Sequence, residues 1–153
     1  MDLSLSDEQK QLQESAERFA REKYTFENRR KIVATERGWL PENWAQFAEL
    51  GWLGMSFSEE DGGYGGGPIE TMIVMEQFGK GLVLEPFLPT VVLGGGMIAR
   101  AGTADQKAAL LAPMIEGKKQ FAFAWLERQS RYNLAAVSLK ATKERAGWSL
   151  SGH

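Results

Sequence analysis

The densest chemistry in this chain lies in Ser58-Glu59-Glu60-Asp61-Gly62-Gly63-Tyr64-Gly65-Gly66-Gly67-Pro68, a carboxylate cluster running into a glycine-rich loop. Glycines can turn backbone N–H groups toward a phosphate, but such a loop joins a strand to a helix and usually precedes a Lys-Ser/Thr pair. Here three carboxylates stand before the glycines, no basic residue follows them, and the segment ahead reads as helical. A phosphate would be repelled. The run is expected to be a linker with unusual backbone angles, because glycine adopts positive φ at little cost. Glu59, Glu60 and Asp61 read as a surface cluster, and Glu85, beside Pro86, as a residue that caps or flanks a helix. The single histidine, His153, ends the chain far from any partner for nucleophilic catalysis. There is no cysteine, and no cluster has metal-ligand spacing, so neither thiolate chemistry nor a metal site is expected.

The elements that must position these residues belong to a chain of 153 residues, long enough for one ordinary domain with the beginning of another. A net charge of −2 gives no electrostatic case for nucleic acid or an anionic membrane; Arg29-Arg30-Lys31 is too short a basic run to change that. The start, Met1-Asp2-Leu3-Ser4, has neither a basic region nor an apolar core, so no secretory signal is read and a cytoplasmic location is expected. Leu82 to Ala101 is apolar and of membrane-spanning length. Glu85, Pro86, Pro89, Arg100 and Gly94-Gly95-Gly96 argue instead for a buried helix, with no membrane insertion.

Helical signals fill the first three quarters. Ser6 with Gln9 forms a capping box, opening a helix with Leu12, Ala16, Phe19 and Ala20 on one face. Residues 25–38 are charged and read either as a solvated helical face or as a loop. Pro41 suits a first turn, Trp44, Phe47 and Ala48 supply an apolar stripe, and Gly51 a C-terminal cap. Pro68 opens a helix apolar on most sides, through Ile69, Met72, Ile73, Val74, Met75 and Phe78, with Gly79 as its expected stop. Thr103 with Gln106 caps another helix, carrying Leu110, Leu111, Met114 and Ile115 and closed by Gly117. From Lys118 the period changes to two. Residues 120–126, 137–143 and 148–150 read as strands, the last two joined by a turn at Arg145-Ala146-Gly147. The expected fold is mainly α: a helical-bundle domain over 1–117, then the first strands of an incomplete β domain over 118–153. Three short strands cannot bury a sheet of their own, so the remainder of that domain is expected to lie outside this sequence.

The order of these features resembles the N-terminal part of the acyl-CoA dehydrogenases, FAD enzymes that oxidise the α–β bond of acyl-CoA thioesters. The resemblance rests on Leu50-Gly51-Trp52-Leu53-Gly54-Met55 running into Glu59-Glu60-Asp61-Gly62-Gly63-Tyr64-Gly65. It continues through Glu76-Gln77-Phe78-Gly79, Ala101-Gly102-Thr103-Ala104-Asp105-Gln106-Lys107 and Trp148-Ser149-Leu150-Ser151-Gly152. A closer similarity is to heteromeric members, the small subunit of pimeloyl-CoA dehydrogenase among them, through Glu127-Arg128-Gln129-Ser130-Arg131-Tyr132-Asn133-Leu134. Most of the family writes this segment as Thr-Glu-Pro, two variable residues, then Gly-Ser-Asp. In this chain Leu126 replaces the Thr, Arg128 the Pro and Tyr132 the Ser; Glu127 alone is kept.

The resemblance implies a flavin lying against Phe123, Trp125 and Leu126, with Leu126 offering a backbone N–H where the family has a hydroxyl. Phe123 and Trp125 would otherwise be β-domain core. It implies an acyl pocket built partly by residues 87–97, with Thr90 and Leu93 facing the acyl chain and Tyr132 near the substrate. Gly94 to Gly96 would admit either a ligand or a neighbouring helix. Arg128 and Arg131 suit a CoA or FAD phosphate, or a solvated loop. The proton-abstracting carboxylate comes from the family's C-terminal domain, beyond residue 153, so no catalytic residue is expected here. Acyl-CoA is the implied substrate, FAD the cofactor, and another dehydrogenase subunit, identical or different, the partner. The chain alone is expected to be inactive; the alternative is a non-catalytic helical interaction module or accessory subunit.

Overall fold

The computed structural model describes residues 4–152. They divide into two compact units, Met1–Ala122 and Phe123–His153. In the first, helix α1 (Asp7–Lys23) opens on the expected capping box: Gln9 N donates to Ser6 Oγ at 3.2 Å and Ser6 N to Gln9 Oε1 at 3.0 Å. Its buried face carries Ala16, Phe19 and Ala20. Helix α2 (Phe26–Val33), capped by Thr25, contains the basic run and buries only Ile32. Arg29 donates from Nε to the Leu82 carbonyl at 3.0 Å, and Arg30 lies over the exposed Phe26 ring. The basic run is a solvated helical face. Helix α3 (Pro41–Glu49) buries Asn43, Trp44 and Phe47 and ends as expected, with Gly51 at φ +75°.

Residues 50–57, after the helix that Gly51 closes as expected, are a succession of turns, where the segment ahead of the acidic run reads as helical from sequence. Their side chains Trp52, Leu53, Met55 and Phe57 are nonetheless buried. The backbone finds its partners in the glycine run: Tyr64 N donates to Gly54 O (3.2 Å), Gly65 N to Phe57 O and Gly66 N to Met55 O (both 2.8 Å). Two chain segments clasp backbone to backbone, and glycine is what lets them. A Cβ on Gly66 would lie 2.5 Å from the Met55 carbonyl oxygen, and one on Gly63 would strike the Phe57 and Gly54 carbonyls. At Glu59–Asp61 a short 3₁₀ turn brings Asp61 within 3.2 Å of Lys107 Nζ.

Helix α4 (Pro68–Gly81) runs two residues past the expected stop at Gly79 and ends where Leu82 takes φ +51°. Glu70 serves both ends of a junction, accepting from Gly67 N and from Gln9 Nε2, each at 2.7 Å. The helix buries Ile73, Val74, Gln77 and Phe78, whereas Ile69 and Met72 are half exposed, so it is not enclosed on every side as its composition suggests.

The single helix expected over 82–101 is broken. Residues 82–86 are irregular, Leu88–Gly95 form a π-helical segment, and α5 covers Gly96–Ala101. Pro86 and Pro89 lack the N–H that a regular helix would need at their positions, and wide helical turns are uncommon without outside support. Helix α6 (Ala104–Ile115) has the second capping box, buries Leu111 and Met114, and stops at Gly117 with φ +74°.

The core centres on Phe47. Its ring stacks on Phe78 with centroids 4.8 Å apart and meets Phe19, Trp52 and Phe87 at 5.1, 5.2 and 6.5 Å. In the second unit, strand β1 (Lys140–Glu144) pairs antiparallel with β2 (Gly147–Ser151), from Lys140 opposite Ser151 to Glu144 opposite Gly147. Residues 120–126, expected as a third strand, join no sheet among the described residues. Alternation makes a segment strand-like, but a ladder needs a neighbour.

Two glycine substitutions separate a backbone role from a default one. Gly66→Ala should destabilise the chain by about 1–3 kcal/mol through overpacking against Met55 O. Gly79→Ala, in helix α4 with nothing within 4 Å of the new methyl, should stabilise it by about 0.5–1 kcal/mol. Urea midpoints at constant m-value read both.

Candidate functional site

The site implied for the flavin begins at Phe121, where the chain leaves the helical unit's core. Thr90, on the π-helical segment, is fully buried and holds Phe121 by both backbone groups: Thr90 Oγ1 donates to Phe121 O at 3.2 Å and accepts from Phe121 N at 3.3 Å. Beyond it, residues 122–126 belong to no helix or strand, and among the described residues none of their backbone N–H or C=O groups has a partner. Phe123, Trp125 and Leu126 are 39%, 48% and 54% exposed. Backbone donors and acceptors beside exposed rings are the kinds of contact that a flavin's polar edge and flat face take, so the residues present suit the group. Neither ring belongs to the buried core.

The next residues form a loop organised by Glu127. Ser130 Oγ accepts from Glu127 N (3.2 Å) and donates to Glu127 O (2.8 Å). The Glu127 carboxylate accepts from Ser138 N at 2.8 Å and Leu139 N at 2.9 Å. Those amide bonds hold its pKa below the ordinary value. With both oxygens engaged, Glu127 is a loop pin, which gives a physical reason for the one residue kept from the family's Thr-Glu-Pro. Tyr132 is 98% exposed, Arg128 and Arg131 are exposed, and Arg131 adopts φ +47°. Leu93 is half buried on the same π-helical segment as Thr90. The segment packs closely at its glycines: a Cβ on Gly94 would lie 2.5 Å from Phe121 Cβ, and one on Gly95 2.9 Å from Met114 Sδ. Gly94 and Gly95 thus admit neighbouring side chains of this unit.

One polar group is placed quite differently from its sequence reading. Glu85 is buried, with Tyr24 Oη donating to Oε2 and Asn43 Nδ2 donating to Oε1 at 3.0 Å. Leu40 N approaches Oε1 at 3.4 Å. Burial, then the Glu85 hydrogen bond and charge, push the Tyr24 phenol well above its usual range. This triad ties the C-terminus of α1 and the start of α3 to the stretch leading into the π-helical segment. Glu85 is fully partnered and so is a structural acceptor, not a base. The signal available in the sequence was a lone carboxylate between Leu84 and Pro86 in an apolar run; its partners, 61 and 42 residues away, were not legible. Among the described residues no group of three or more acidic, His or Cys side chains could hold a metal, and no helix is long and apolar enough to cross a membrane.

This helical unit, with its glycine clasp, is the N-terminal domain of a known class of flavoenzymes. The family model described as "Acyl-CoA dehydrogenase, N-terminal domain" matches residues 6–118. Acyl-CoA dehydrogenase FadE12 of Mycobacterium tuberculosis is 34% identical over 114 residues, covering 72% of this chain and 29% of its own. Butyryl-CoA dehydrogenase from Megasphaera elsdenii superposes with a TM-score of 0.82 at 28% identity, over 99% of this chain and 41% of its own. A variant of the Tcur3481–Tcur3483 steroid ACAD gives 0.84 at 28% identity, over 97% and 40%. The chain belongs to the acyl-CoA dehydrogenase family. It spans about three tenths of the length of FadE12.

The Glu127 pin carries a pH signature. A carboxyl whose folded pKa is depressed stabilises above its unfolded value, and the benefit disappears as pH falls through the folded value. NMR titration of the Ser138 and Leu139 amides should therefore show a midpoint below the ordinary 4.5. Glu127→Gln should abolish that titration.

Proposed function

We propose that this chain is the N-terminal part of a subunit of an FAD-dependent enzyme that dehydrogenates an acyl-CoA thioester between its α and β carbons. The observation that carries the reading is the match of residues 6–118 to the family's N-terminal domain, followed in the chain by the exposed rings of Phe123 and Trp125. When bound, the flavin supplies the two-electron oxidation. The chain's own residues hold and orient it: backbone groups at Trp125 and Leu126 for its polar edge, and the Phe123 and Trp125 rings for packing. Residues 87–97, with Thr90 and Leu93, contribute to the acyl wall, and Tyr132 lies toward the substrate. The proton-abstracting carboxylate is supplied from outside residues 1–153, so this chain alone does not turn over.

Leu126 favours a second reading. A leucine there cannot tune the flavin through a hydroxyl, which suits an accessory half of a hetero-oligomer, as in the relatives of the pimeloyl-CoA dehydrogenase small subunit. The pair named in the Tcur3481–Tcur3483 steroid ACAD is a precedent for two-chain members. On this reading the partner is a second dehydrogenase subunit of different sequence.

Purified intact subunit should be yellow and should bleach on adding acyl-CoA. Activity only after mixing with a second subunit selects the accessory reading; a colourless protein that binds no FAD in either state sinks both. Trp125→Ala should weaken FAD binding about tenfold, the scale of one aromatic packing contact, by fluorescence titration.

A further inference from the structure

We infer that Thr90 is a positioning residue for the flavin-facing segment, anchoring its first ordered backbone through a side chain that mimics a strand partner. This rests on the reading of residues 123–126 given above. Thr90 is fully buried, and its one hydroxyl engages both the N–H and the C=O of Phe121. That is the exchange two residues make across an antiparallel ladder, performed here by a side chain against a backbone. It occurs where the chain passes from a hydrogen-bonded region to five residues whose backbone groups have no partner among the described residues. Phe121 is also held at its Cβ by Gly94, one turn further along the π-helical segment, where any larger residue would collide with it. Two independent contacts from one wide-turned segment thus fix one residue, two positions before Phe123.

The consequence is a division of labour on that segment. The Thr90 hydroxyl is spent on Phe121 and has no second donor proton, so its polar group is not free for a thioester or acyl chain. Leu93, half buried, is the residue left to offer apolar surface. The π-helical geometry has a reason in this arrangement: its cost is met by holding the outgoing backbone, a local irregularity tied to a functional segment.

The test compares Thr90→Val, which keeps the shape and deletes the hydroxyl, with Thr90→Ser, which keeps the hydroxyl. Amide hydrogen exchange at Phe121 is read first, in the 153-residue chain. Thr90→Val should speed it at least about tenfold, and Thr90→Ser should restore it. In the intact holoenzyme Thr90→Val should raise the FAD Kd about tenfold, again with rescue by Ser. Gly94→Ala, which crowds Phe121 with the hydroxyl intact, should reproduce the pattern. FAD affinity left unchanged by Thr90→Val would overturn the inference. Unchanged exchange at Phe121 in both Thr90→Val and Gly94→Ala would do so as well. A wild-type protein that never binds FAD would sink the proposed function instead, while exchange at Phe121 would still decide the anchor.

Discussion

The helical unit depends on the contact between Phe47 and Phe78, rings stacked 4.8 Å apart at 20°. Around that pair gather Phe19 from α1, Trp52 from the turns after α3, and Phe87 at the entrance to the π-helical segment. One junction therefore joins five parts of the unit, between Phe19 and Phe87. Truncating Phe47 would remove contacts in every direction at once, and large aromatic truncations in cores lose about 3–5 kcal/mol. A domain of this size has only about 5–15 kcal/mol in total. The buried Tyr24–Asn43–Glu85 group works beside it, supplying direction where ring packing supplies cohesion. Together they set where residues 86–95 begin, and from there Thr90 and Gly94 set where Phe121 sits.

The glycine run takes its meaning from the same logic. Its charge excluded a phosphate site at the level of sequence, and the structure shows why the glycines are there. Gly63 and Gly66 let one backbone lie directly on the carbonyls of residues 54–57, and Asp61 reaches Lys107 on α6. The run is a clasp that fixes a turn-rich stretch whose buried side chains, Trp52, Leu53, Met55 and Phe57, complete the core. Of its acidic residues, Asp61 serves the fold through that ion pair, and the segment proposed to face the flavin lies some sixty residues further on.

What was legible in the sequence was local. Ser6 with Gln9 and Thr103 with Gln106 cap helices through residues three apart, and Pro41, Gly51 and Gly117 mark ends by backbone preference alone. The rest depended on partners the pattern could not name. Gly79 looked like a stop and is an ordinary helical residue, because Leu82 takes the left-handed position three residues later. Residues 82–101 looked like one helix, since hydropathy does not register the two prolines' missing donors or the hold of Phe121 on Thr90. Residues 120–126 have a strand's alternation but pair with no strand among the described residues. The roles of Glu85, Glu127 and the Thr90 hydroxyl became visible only when their partners were placed, while Phe123, Trp125 and Leu126 stand as proposed flavin neighbours on family order alone.

The central claim is that the unpaired backbone of residues 122–126 is the chain's flavin-holding edge. The most direct measurement is amide hydrogen exchange of the intact protein with and without FAD. The account predicts that protection rises at Trp125 and Leu126 on adding FAD, while the Phe47–Phe78 core stays as it was. FAD binding that leaves those amides unchanged and protects others would contradict it.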